Sequence, residues 1–179
     1  YGTSETGKFP ERLKPINIKS YVDENGEFPA ISEINDEIRK LNLAAYAPLR
    51  YVLPSKQEAY DKKYSQVVKD GTRLFRQVDR EESLIHLLRV NLLKRMESAV
   101  SSFTLTIERQ LESVDEMLTK LESLEGSVEE IDIQTLDVDD PALEPLLVGE
   151  KVKVLLHDVD RVKWKQDLTE DKERLTKLV

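Results

Sequence analysis

The sequence predicts a mainly α fold: a helical domain with a long antiparallel, coiled-coil-like hairpin and one or two short strands. Three observations carry this. First, Leu84 to Leu124 contains no Pro and no Gly, and apolar residues recur there at steps of three and four: Leu84, Leu88, Leu92, Met96, Val100, Phe103, Ile107, Leu111, Val114, Leu118, Leu121 and Leu124. Residues three and four apart share a helix face. A single helix over this stretch would be roughly 60 Å long and would project from the body. Second, Val159, Val162, Trp164, Leu168, Leu175 and Leu178 form another stripe that can return antiparallel along the first. Third, 39% hydrophobic against 35% charged residues suits exposed helix surface more than one large core.

The elements follow in order. Residues 1–30 read as an irregular lead-in with Gly2, Gly7, Pro10 and Pro15, plus a strand at Ile16–Val22 ended by the Asp23–Gly26 turn. Residues 31–80 read as short helices. The first is capped by Ser32, runs through Ile34, Ile38, Leu41 and Ala45, and stops at Tyr46-Ala47-Pro48. The second is capped by Ser55 and spans Lys56 to Lys69, with Asp70-Gly71 as its stop. Residues 84–125 and 141–179 are the expected hairpin legs, and 126–140 a flexible acidic tip. Asp140-Pro141 reads as a helix start, while Lys151–Leu156 suits a strand or the start of the returning helix. The chain is read as one domain cut from a longer protein, since it begins at Tyr1 without Met.

Charge is unevenly spread. Glu108 to Glu150 holds 14 acidic and 2 basic residues, a net of −12 against −8 for the whole chain, so the remainder carries +4. An overall acidic chain bears no general nucleic-acid signature. The absence of Cys removes disulfides and thiolate metal sites and suits a reducing cytoplasm. No apolar run is long enough for a membrane span.

Several patterns suggest chemistry and fail on detail. Gly2–Lys8 (GTSETGK) matches most of a phosphate loop, but Phe9 stands where the hydroxyl belongs and no strand precedes it. Asp137, Asp139 and Asp140 lack the Gly and the later Glu of a calcium loop. His86 and His157 are isolated. Tyr46, Tyr51, Tyr60 and Tyr64 are spaced for packing rather than for stacking bases. Arg73, Arg76, Arg80, Arg89, Lys94 and Arg95 are interrupted by Asp70, Asp79, Glu81 and Glu82, which favours a solvated face over a phosphate track. Glu97 and Ser98 beside Lys94 and Arg95 make either a polar contact surface at the hairpin base or a solvated helix face.

One stretch is more specific. Leu92-Leu93-Lys94-Arg95-Met96-Glu97-Ser98-Ala99, followed by Phe103 and Thr106, resembles a pattern of bacterial Swi/Snf-like superfamily II helicases, roughly L-L-K-R-L-E-S-S-x-x-x-F-x-x-T, with Met96 and Ala99 as departures. Tyr1-Gly2 with Phe9-Pro10, Leu43–Leu49 (LAAYAPL), and Trp164–Leu168 (WKQDL) with Asp171 are similar to other parts of that family in the same order. The resemblance implies a helical insertion between two RecA-like ATPase lobes, not an enzyme by itself. It implies ATP and Mg in the parent but no cofactor in this chain. The implied partners are the parent's lobes and DNA, with no membrane and no small-molecule substrate. Arg89, Lys94, Arg95, Glu97 and Ser98 become candidates for contact with nucleic acid or a lobe, and the cytoplasm the expected location. The alternative expectation is a stand-alone coiled-coil scaffold for a protein partner.

Overall fold

Why the first helix stops early is a question of tertiary contact. In the computed structural model, which describes residues 13–16, 29–64, 66–67, 74–123, 132–149 and 152–179, α1 spans Ile31–Lys40 and buries Ile34 and Ile38. The sequence expects it to run on to Ala45. Instead Leu41 to Tyr51 is a tight segment with two 3-10 turns, Ala44–Tyr46 and Pro48–Tyr51. Its Leu41, Leu43, Ala44, Ala47, Leu49 and Tyr51 are all buried. The chain divides into two units, residues 1–30 and 31–179. In the first, Leu13 and Ile16 are exposed. The rest of the expected strand at Ile16–Val22 and the loop at Gly2–Lys8 lie outside the described residues. Everything below concerns the second unit.

Helix α2, Gln57–Tyr64, is shorter than expected. Val67 belongs instead to strand β1, Gln66–Val67, which pairs antiparallel with β2, Leu74–Phe75. α3 then spans Gln77–Ser98 and α4 Val100–Ser123. The expected unbroken helix is therefore two helices. Ala99 between them is extended (φ −163°, ψ 122°), and its N–H still closes the last turn of α3 on the Arg95 carbonyl. The local sequence Ser98-Ala99-Val100-Ser101-Ser102 is a weak place for a helix, because hydroxyls compete for backbone groups and Val is β-branched. Ser98 Oγ does donate to the Lys94 carbonyl at 2.8 Å.

α4 runs back along α3. Residues Arg80, Leu84 and Leu87 of α3 and Ser113, Glu116 and Met117 of α4 line one groove of about 800 Å³, which a straight helix could not bring together. α5, Arg161–Thr176, packs antiparallel on α4, with Lys165 on Glu122 and Lys172 on Asp115, each at 2.7 Å. So the expected antiparallel return exists, but only Arg161–Thr176 of the 141–179 leg is α-helical. Asp160 caps it by accepting from the Lys163 N–H. The expected helix after Asp140-Pro141 is a 3-10 turn, Pro141–Leu146, with Pro145 inside it. β3, Leu147–Val148, pairs antiparallel with β4, Val154–Leu155, which makes part of the ambiguous Lys151–Leu156 stretch a strand. Gly149 between them has φ 109°, and a Cβ there would overlap the Val152 carbonyl oxygen.

The acidic segment also departs from expectation. A second hairpin, α3 with α4, turns at Ala99, while residues 132–140 lie in the connection from α4 to α5. They form turns that bury Ile133 at 2% exposure and lay Leu136 and Val138 on the core. Lys63 and Lys153 donate to the Leu136 and Val138 carbonyls, both at 2.8 Å. Residues 124–131 lie outside the description. Tyr60 joins α2 to β4: its hydroxyl donates to Asp158 Oδ2 at 2.8 Å and accepts from the Leu155 N–H at 2.9 Å. Among the described residues, no helix is long and apolar enough to cross a membrane.

Candidate nucleic-acid interface

The five residues singled out by sequence do not stay together. Lys94, Arg95, Glu97 and Ser98 form the last turn of α3 and are exposed at the corner where the chain reverses. They thus sit at the tip of the α3–α4 hairpin, at the end of α4 away from its connection to α5. Arg89 is drawn away. It lies half buried, and its Nε and Nη2 both donate to the Leu41 carbonyl, at 3.1 and 2.5 Å. That fork is spent on holding the 41–51 segment to α3. Of the other basic candidates, Arg76 pairs with Asp61 at 3.1 Å, Arg80 is exposed beside the groove, and Arg73 lies outside the described residues.

At the tip, Arg95 Nη1 reaches across the corner to Ser102 Oγ at 3.2 Å. Lys94 points to solvent without a side-chain partner among the described residues. α4 has no acidic residue in its first turn. Its opening N–H groups, at Val100, Ser101 and Ser102, follow an alanine that brings no capping acceptor. Such groups carry partial positive charge. Two cations, a helix N-terminus and two serine hydroxyls therefore share one small exposed corner, an arrangement able to take phosphate oxygens. Leu92 and Phe103, 1% and 4% exposed, anchor the corner from beneath.

Sequence reasoning missed a second set of polar groups, inside the fold. Glu81, 4% exposed, accepts from the Leu49 N–H at 3.1 Å through Oε2, while Oε1 has no partner. Burial pushes this carboxyl up to about 8, opposed by the Leu49 N–H and by Arg50. Asp171, fully buried, accepts from the Asn42 N–H at 2.6 Å and the Ala44 N–H at 2.8 Å. Burial pushes it up to about 6, against the pull of those amides. Trp164 Nε1 donates to the Ala44 carbonyl at 3.0 Å, and its ring stacks on Tyr51 at 5.1 Å. The Tyr51 hydroxyl donates to Asp167 Oδ2 at 2.8 Å, and burial with that carboxylate raises the phenol's pKa. The 41–51 segment is thus gripped by α3 through Glu81 and Arg89 and by α5 through Asp171, Trp164 and Asp167.

A signal for the buried acids was present. Trp164, Leu168, Asp171 and Leu175 step by four, three and four, which puts an acid in the register of the buried face. Glu81 stands one turn before buried Ile85 in the same way. The aspartates considered for calcium are engaged locally instead. Asp137 and Asp140 accept from the Asp139 and Ala142 N–H groups, and Asp139 meets Lys153. Among the described residues no group of three His, Asp or Glu could hold a metal ion. No family model, curated protein or solved structure matches the chain.

Proposed function

We propose that this chain is a non-catalytic helical insertion domain of a Swi/Snf-like superfamily II DNA-dependent ATPase, positioning nucleic acid or coupling the two ATPase lobes. One observation carries the reading: stretches that resemble the family at separate places in the sequence meet in space. Trp164 and Asp171 close on Ala44 across about 120 residues. Segments that recur together in order are expected to share an interface when they form one working unit. ATP and Mg belong to the parent's lobes in this reading, and the cytoplasm is its location. DNA meets the domain at Lys94, Arg95 and the start of α4.

The test is DNA-stimulated ATPase in the parent protein. Arg95 is held across the corner by Ser102, so its charge is already positioned, whereas Lys94 is loose. Arg95→Ala is expected to weaken activation by DNA several-fold and more than Lys94→Ala, with helicity and melting unchanged. Wild-type activation in both variants removes the tip from DNA contact. The scaffold reading draws on a different feature, the groove between α3 and α4 with Leu84 and Leu87 40% and 55% exposed. It predicts that both tip variants are silent.

A further inference from the structure

We propose that Asp171 and the Asn42-Leu43-Ala44 turn form a latch, through which the seating of α5 sets the grip of the 41–51 segment on α3. Leu43 has φ 52° and ψ 43°, and it is the one non-glycine residue with positive φ among those described. A left-handed leucine is strained, and it is 2% exposed, so the strain is not there to serve a surface turn. That conformation turns successive backbone N–H groups toward one point, a nest that receives an anion. The anion is the Asp171 carboxylate, which takes the Asn42 and Ala44 N–H groups, one on each oxygen, with the Leu43 N–H also acting on it. No Lys or Arg pairs with Asp171 among the described residues, so backbone amides alone satisfy a buried carboxylate.

Strain of this kind lasts only where surroundings over-determine it. Here the determining groups, Asp171 and the Trp164 indole, both come from α5. The consequence reaches α3 because its anchors flank the strained residue. Leu41, two residues before, offers the carbonyl that Arg89 holds, and Leu49, six residues after, offers the N–H that Glu81 holds. Withdrawing α5 frees Leu43 to return to negative φ, and that rotation carries the Leu41 carbonyl away from Arg89. The latch stands on these contacts and does not need the helicase reading; under that reading α5 is the helix on which the second lobe would pull.

The experiment is a stability cycle on this chain without DNA or nucleotide, so its failure is separate from failure of the functional proposal. Leu43→Ala and Leu43→Gly remove the same buried side chain, but only glycine takes the left-handed region freely. With Asp171 intact, the folding constant of Leu43→Gly is expected to exceed that of Leu43→Ala about tenfold. With Asp171→Ala the advantage disappears or reverses. The single tryptophan, Trp164, reports the seating of α5 by its emission. In the same cycle, the cost of Arg89→Ala shrinks several-fold once Asp171 is replaced. An equal glycine advantage in both backgrounds, no advantage with Asp171 intact, or an unchanged cost for Arg89→Ala would overturn the latch. Should Asp171→Ala fail to fold, hydrogen exchange in the unaltered chain decides. The Asn42 and Ala44 amides and the Trp164 indole N–H are expected to open together, before the amides of α4. Exchange of these groups only with global unfolding contradicts the proposal.

Discussion

Glu81 and Asp171 show how far a single side chain departs from what its type suggests. Each is an acid held in the core by backbone N–H groups rather than by a cation. Glu81 is raised from 4.5 to about 8, so the folded chain binds its proton more tightly than the unfolded chain does. Stability from that proton is complete below about pH 4.5 and is lost as pH rises through about 8. Asp171, raised from 3.8 to about 6, acts with the same sign at lower pH. The melting temperature should therefore fall between pH 5 and pH 9. Glu81→Gln keeps an oxygen for the Leu49 N–H and has no proton to lose, so it should flatten that fall by a few degrees. An unchanged slope in the variant would show that Glu81 is not the titrating group. Both acids were in plain view in the sequence. A stripe read from apolar residues alone does not reveal them: in sequence Glu81 reads as a break in the run of basic residues, and Asp171 only as a neighbour of the Trp164–Leu168 stretch.

At the scale of elements, the long stripe itself contained its correction. Leu84, Leu88, Leu92, Met96 and Val100 step by four each time, and each such step drifts about 40° around a helix. Within α3 the two steps from Leu84 to Leu92 already turn the stripe by about 80°, so Leu84 is 40% exposed while Leu92 is buried, and Val100, 46% exposed, lies past the break at Ala99 on α4. The buried face of α4 instead runs Phe103, Ile107, Gln110, Val114, Met117 and Leu121, stepping by four and three in alternation. Periodicity gave the helix and nearly gave its face, whereas it could not give the corner at Ala99. The 41–51 segment was least legible, because its shape is set by α3 and α5 groups distant in sequence. By contrast, the Asp160 cap of α5 and the Asp140 cap were readable, since capping is local. Gln110 offers a test of the α4 face. It is 4% exposed, with Oε1 buried and without a partner. Gln110→Leu removes an unsatisfied group while filling the same space, and should stabilise the chain by about 1 kcal/mol in urea unfolding. Destabilisation would mean that this oxygen has a partner or that the face packs differently.

Across the whole second unit, charge and fold act together. The acidic stretch Glu108–Glu150 begins on α4, and Lys165 and Lys172 of α5 meet two of its carboxylates. These pairs are exposed and contribute little individually; they agree with the antiparallel order of the two helices. The reversal at Ala99 then puts Lys94 and Arg95 at a corner away from the α5 pairing, at the tip of the α3–α4 hairpin. Both the candidate interface and the grip on the 41–51 segment depend on that reversal. It can be measured with spin labels on Ser83→Cys and Glu116→Cys, since the chain has no other cysteine. Both positions border the groove between α3 and α4. A continuous helix would separate them by about 50 Å, at 1.5 Å per residue. The hairpin predicts a single population at well under half that distance, and a distribution centred near the longer value would contradict it.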